Sequence, residues 1–252
     1  MSHSTFRPTH TVVFGAIDRG SERAATADAI TGAAAHAGRV CLRIDCDCFV
    51  EEYPDRIDRL RTTCDRVTSA DANYDDYCTR EVNETPVVHD ILTVESWHLY
   101  ACVQHVRLDR DGETVLLYNA DHRQFDIDGD AVPGALTEIE TAFDGVAAGV
   151  LPKRPLCEWV VDGTRYVLSP PSLCVGSACF GLENLRNVTI DPGTMTISLE
   201  WASSRPSNAI LAAITGLVER IGPDRPTKIE FNSRETFEAA EDGFETILAA
   251  IG

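Results

Sequence analysis

Residues 97–120 read WHLYACVQHVRLDRDGETVLLYNA, and the turn inside them decides the fold class. Asp111-Gly112 is a strong hairpin signal, because a two-residue turn between strands needs positive φ at both positions, which Asp and Gly tolerate. It predicts antiparallel strands at 98–108 and 113–120, and Asp128-Gly129 follows another short strand. His98 and His105 then fall seven apart on one predicted strand, hence on opposite faces, where they cannot share a ligand.

Upstream, Thr11–Phe14 reads as a short strand. An alanine-rich helix is expected from Ser21, as N-cap, to Ala37, with Gly38 beyond its end. Residues 40–50 alternate: Val40, Leu42, Ile44, Cys46, Cys48 and Val50 share one side, while Arg43, Asp45, Asp47 and Glu51 take the other. That pattern predicts one half-buried strand, with Cys41 on the polar side, and a strand–helix–strand unit suited to a parallel crossover. A second helix begins at Pro54 and carries Ile57, Leu60, Cys64 and Val67 on one stripe. Residues 69–90 are polar and acidic without clear periodicity, and are expected to form a long loop.

Downstream, Val132, Leu136, Ile139, Phe143, Val146 and Val150 step by four and three residues, predicting a helix with Pro133 in its first turn. Leu151–Pro155 looks like a boundary between a domain at 1–152 and one at 153–252. In the second, strands are expected at 157–161, 164–168, 180–189, 194–201 and 227–231, with hairpins at Asp162-Gly163 and Asp191-Pro192-Gly193. Helices are expected at 207–221 and at the C-terminus, where Asn232 and Glu235 stand at capping-box spacing and Phe237, Ala240, Phe244, Ile247 and Ile251 are buried. The expected class is α+β: a strand–helix–strand N-terminal unit plus antiparallel hairpins covered by helices, then a second small α+β domain. Strands closed by a C-terminal helix over about the last 100 residues resemble pleckstrin-homology-like modules in architecture, with the helix at 207–221 as a departure; fold alone implies no function.

The chain has 252 residues, of which 44% are hydrophobic, so it can bury a sizeable core. Forty acidic residues oppose 22 basic ones, giving −18 and a pI near 4.7, and only Lys153 and Lys228 are lysines. At molar salt the Debye length shrinks to about 3 Å, so the self-repulsion of such a surface vanishes. The balance suits a salt-adapted organism and argues against a nucleic-acid partner, which needs clustered basic residues. The longest uncharged run, Leu168–Leu182, spans 15 residues with Pro170-Pro171 inside it, too short and broken to cross a bilayer. Nine cysteines form an odd set, and Met1–Thr11 is polar. The expectation is therefore a soluble cytoplasmic protein with reduced thiols, without a membrane, and with a protein or a small molecule as partner.

Motifs are weak. Gly15-Ala-Ile-Asp-Arg-Gly20-Ser21 lies between strand and helix, where phosphates bind, but Ser21 stands where a Walker lysine would be and Ile17 where a dinucleotide loop needs Gly. Gly15, Gly20 and Asp45, the last placed to hold a ribose, are the candidate cofactor residues. Cys41, Cys46, Cys48, Cys64 and Cys78 invite zinc, yet Cys46, Cys48 and Cys64 lie on apolar stripes, which favours core packing. Asp126–Asp130 starts like a calcium loop but has Ala131 and Thr137 where Gly and Glu are required. Cys174-Val-Gly-Ser-Ala-Cys179 lacks the nucleophile-elbow pattern and reads as strand or loop. In 69–90, Asp75, Asp76, Cys78 and His89 are the candidate metal ligands. No cofactor is specified. Two functions stay open: a non-enzymatic intracellular binding or regulatory protein, and a metal- or nucleotide-dependent enzyme using 69–90 or the Gly15–Gly20 turn.

Overall fold

Both residues of the Asp111-Gly112 turn adopt positive φ, 54° and 86°, and the same holds at Asp162-Gly163, so the hairpin signals act as their chemistry dictates. The computed structural model describes residues 6–67, 73–202 and 224–252. The chain divides into two units, one of Met1–Val12 with Ile17–Lys153 and the other of Val13–Ala16 with Arg154–Gly252.

Up to Pro152 the chain begins with β1 (His10–Phe14), α1 (Arg19–Ala34), β2 (Arg39–Ile44), α2 (Cys46–Val50), α3 (Pro54–Thr63), β3 (Asp65–Val67), β4 (Asp75–Cys78), α4 (Thr85–Leu92) and α5 (Ser96–Cys102). It continues through β5 (Val103–Arg110), β6 (Glu113–Asn119), β7 (Gln124–Ile127), α6 (Pro133–Ala142) and β8 (Ala148–Pro152). The strands form one sheet in the order β3-β4-β2-β5-β6-β7-β1-β8. Antiparallel pairing from β1 through β7, β6 and β5 to β2 makes β1 and β2 point the same way. Three strands separate them, so α1 crosses the sheet rather than joining neighbours.

Each strand's alternation sends Val40, Leu42, Ile44, Tyr77, Val106, Leu108, Leu116, Tyr118, Phe125 and Ile127 to one buried face. The helices lie against it: Phe143, capping α6, meets Phe125 edge-on at 6.0 Å, while Ile57 and Leu60 of α3 and Ile91 of α4 are fully buried. On α1 the buried stripe Glu22, Ala25, Thr26, Ala29, Ile30, Ala33 is half alanine, and a Cβ at Gly32 would come within 3.3 Å of Glu138 on α6.

Several sequence expectations shift, each for a local reason. α1 starts at Arg19 because Asp18, not Ser21, caps it, accepting from the Gly20 and Ser21 amides. β2 stops at Ile44, because Asp45 caps a new helix through the Asp47 and Cys48 amides; Cys46 and Cys48 are therefore helical. α3 ends at Thr63, leaving Cys64 extended and Val67 exposed on an edge strand. The predicted 69–90 loop, where described, is mostly regular: β4 pairs with both β2 and β3, and a 3-10 turn at Val82–Glu84 leads into α4. His98 belongs to α5 while His105 belongs to β5. Gly145, at φ 76°, follows α6 and ends it early, so Val150 enters β8 instead of a longer helix.

The second unit contains β9 (Cys157–Val161), β10 (Thr164–Ser169), β11 (Ser172–Val175) and β12 (Ala178–Gly181) in one antiparallel sheet. A second sheet holds β13 (Leu185–Asp191), β14 (Thr196–Trp201) and β15 (Lys228–Glu230), and α7 (Arg234–Ile251) ends the chain. The single strand expected at 180–189 is thus parts of two, and Ser233, one residue after Asn232, caps α7 through the Thr236 amide. The helix expected at 207–221 lies outside the described residues. Trp159 is the centre of this core: it stacks on Tyr166 at 5.4 Å and packs against Phe231 and Phe244. α7 seats against β9 at Gly243, where a Cβ would lie 2.6 Å from the Cys157 sulfur. Seven described strands precede the closing helix of this unit. Among the described residues no helix is long and apolar enough to cross a membrane.

Candidate functional site

The sheet face turned away from the helices is polar, and strand register lines its side chains into rows. One row passes from Asp76 on β4 to Arg43 on β2 and His105 on β5. The next passes from Cys78 to Cys41, Arg107, Leu117, Asp126 and Thr11. Arg43 holds Asp76 in a two-pronged bond, Nε and Nη2 each 2.7 Å from a carboxylate oxygen. The Arg43 guanidinium keeps the Asp76 carboxyl below the usual carboxylate range. Arg107 Nε donates to Asp109 at 3.0 Å, and the Thr114 hydroxyl donates to the same carboxylate. His105 sits between the two arginines, and burial followed by the Arg43 charge pushes its pKa down, so the imidazole is neutral near pH 7. Farther along, Asp126 is 2% exposed and receives Lys153 Nζ and Gln124 Nε2 on one oxygen. Its other oxygen meets no hydrogen-bond donor among the described residues.

Cys41 and Cys78 are directly opposed on β2 and β4 and form a disulfide, and Cys48 of α2 is joined to Cys102 of α5. A third disulfide links Cys174 to Cys179. The expected set of reduced thiols is corrected accordingly: six of the nine cysteines pair, and Cys46, Cys64 and Cys157 stay free. Burial pushes the Cys64 thiol up to about 11 and that of Cys157 up to about 12, so both are poor nucleophiles.

The residues singled out by sequence are not assembled around a common point. Asp18 occupies the N-terminus of α1 as an intramolecular anion, with its oxygens on the Gly20 and Ser21 amides and the Ser21 hydroxyl. That leaves the Gly15–Gly20 turn with its own carboxylate where a phosphate would dock, Gly20 already inside the helix. Asp45 does the same at α2. Of the four proposed metal ligands, Asp75 bonds Arg66, Asp76 bonds Arg43, Cys78 is in the disulfide, and His89 contacts Asp28 of α1 at 3.1 Å. Among the described residues no three His, Cys, Asp or Glu side chains gather as a metal site requires.

Sequence reasoning missed the cluster of Arg43, His105, Arg107 and Asp109 and the pairing of Glu22 with Arg123. Glu22, 1% exposed in α1, accepts both Arg123 Nε and Nη2 at 2.8 Å from the turn between β6 and β7. Arg19 adds a bond to Glu22 and lies over the Tyr100 ring at 5.2 Å. Alternation places Arg43 on a polar face, but its register partner Asp76 lies on β4, whose short acidic sequence carries no strand pattern of its own. No family model matches the chain, and no curated protein or solved structure is significantly similar to it.

Proposed function

We propose that the chain is a non-enzymatic binding or regulatory protein of a salt-adapted organism. One observation carries this reading: the groups that looked most chemical are each engaged in holding the fold. Asp18 and Asp45 cap helices, Asp76 clamps Arg43, Cys78 ties two strands, and His89 meets Asp28. A general base or nucleophile must instead be free to exchange a proton or a bond with substrate. The polar sheet face, a fixed pattern of paired charges around a neutral His105, is the surface we assign to recognition of a protein or small-molecule partner, with specificity from charge complementarity.

The acidic, lysine-poor composition supports a salt-accumulating cytoplasm. Three disulfides pull toward an oxidising compartment, so a cytoplasmic location requires that these pairs stay oxidised there. Blocking thiols at the moment of lysis and weighing the protein without reductant reads out that state directly.

The functional test is made at molar salt with nucleotides and divalent cations at millimolar concentration. The expected outcome is an unchanged Tm and no turnover of phosphoester or acyl substrates, together with a bound partner or metabolite seen by native mass spectrometry of freshly isolated protein. A saturable nucleotide- or metal-dependent rise in Tm that disappears in Asp45→Ala or Asp76→Asn would establish the enzyme or cofactor-binding reading instead.

A further inference from the structure

The three disulfides differ in where they lie. Cys41 and Cys78 are 3% and 1% exposed, and Cys102 is 1% exposed beside a half-buried Cys48. Cys179, by contrast, is exposed, on β12, the edge strand of its sheet, and Cys174 beside it is half-buried on β11. They are register partners, with Cα atoms 3.9 Å apart, and extend a row that starts at Glu158 and passes through Val167. Alternation puts that row on the face opposite Trp159, Tyr166 and Leu173, away from the core.

We propose that Cys174–Cys179 is a reversible thiol–disulfide exchange site that low-molecular-weight thiols reduce in the folded protein, while the other two pairs remain closed. An incoming thiolate attacks the exposed Cys179 sulfur in line with the S–S bond. A new S–S bond forms to Cys179, the old one breaks, and Cys174 leaves as a thiolate that takes a proton from water. A second equivalent of thiol attacks the mixed disulfide, releases the oxidised small molecule, and leaves Cys179 as a thiol. The protein gains two electrons and two protons, and two small thiols become one small disulfide.

The hairpin makes the couple reversible. The Ser172–Gly181, Leu173–Phe180 and Val175–Ala178 pairings flank the bond, and Gly176 at φ 59° donates its amide to the Arg165 carbonyl at 2.8 Å. Leu173 is fully buried, and Phe180 packs on Trp201 at 6.1 Å, so β11 and β12 keep their register without the covalent link. The sequence separation is 5, against 37 and 54 for the other pairs, so opening this bond releases the least chain entropy. Reduced, the two sulfurs still face each other, and closure is intramolecular. Cys157 does not intercept the exchange, because its sulfur is turned to Gly243 of α7, on the core side.

The test treats the folded wild-type protein at molar salt with millimolar reduced glutathione, then alkylates with N-ethylmaleimide and maps the labelled peptides. Cys174 and Cys179 are expected to label at least about tenfold faster than Cys41, Cys48, Cys78 and Cys102, with the far-ultraviolet spectrum unchanged. The reduced protein is expected to bind one phenylarsine oxide, which needs two opposed thiols, and to be shielded from alkylation by it. In Cys174→Ser, oxidised glutathione is expected to add a single glutathione at Cys179. Simultaneous labelling of all three pairs, labelling only on unfolding, or failure of the arsenical to protect the pair each overturns the proposal.

Discussion

The two faces of the eight-stranded sheet come from the same residues' alternation, yet they are held by different physics. On the helix side, Leu42, Val106, Leu116 and Phe125 are removed from water against helices whose stripes are small or aliphatic. On the other side the same strands place Asp76, Arg43, Arg107 and Asp109, which hold position by directional bonds, with His105 among them. The contrast teaches that a period of two decides which side a residue takes but not what meets it there. The first face depends on volume; the second depends on stoichiometry of charge.

Substitutions separate the two. Leu42→Ala, in the middle of the sheet and fully buried, is expected to cost about 2–5 kcal/mol and lower Tm by roughly 5–15 °C, read by calorimetry at fixed salt. A loss under about 1 kcal/mol would mean that the helix face is not close-packed.

On the polar face, Arg43→Ala strands Asp76, whose side chain is 12% exposed, and is expected to cost about 2–3 kcal/mol. The paired replacement Arg43→Met with Asp76→Leu should recover most of that loss, since no charge is left buried alone. A double variant whose loss equals the sum of the two single losses in a denaturant double-mutant cycle would show that the pair does not couple, and the contrast between faces would fail.

The smallest effect comes from His105. Its folded pKa lies below the ordinary value near 6.5, so the unfolded chain binds the proton first. Stability is therefore full above that value and falls as pH drops through about 6.5 toward the folded pKa. Asp76 acts lower: its depressed pKa contributes stability present above 3.8 and lost as pH falls below it. His105→Gln should flatten the Tm profile between about pH 7.5 and 5.5 by roughly a degree or two, leaving the more acidic limb unchanged. A wild-type profile already flat in that window would remove His105 from the polar network.

Much of the fold was legible because short-range chemistry fixed it. Asp111-Gly112 and Asp162-Gly163 turn as two-residue hairpins. Pro54 and Pro133 open helices. What escaped were places where a side chain competes with the pattern. Residues 40–50 alternate cleanly, yet Asp45 caps the backbone and converts the second half into a helix; capping outweighs the periodicity of so short a run. Residues 75–78, Asp-Asp-Tyr-Cys, carry too little apolar content to read as a strand, because their alternate positions face a polar side; only their pairing with Arg43 and Cys41 explains them. The candidate ligands were legible as acids and thiols. Their actual partners, Arg66, Arg43, Cys41 and Asp28, lie between 9 and 61 residues away in sequence, beyond any local signal.

The spans of two disulfides also overlap, Cys41–Cys78 with Cys48–Cys102. Any backbone break between Cys48 and Cys78 therefore divides the chain into pieces that remain doubly sutured. A protease cutting there would change the number of chain ends and nothing else in the covalent bookkeeping of the molecule. In a setting where cleavage is common, the segment from α3 to β4 is free to be nicked without being lost.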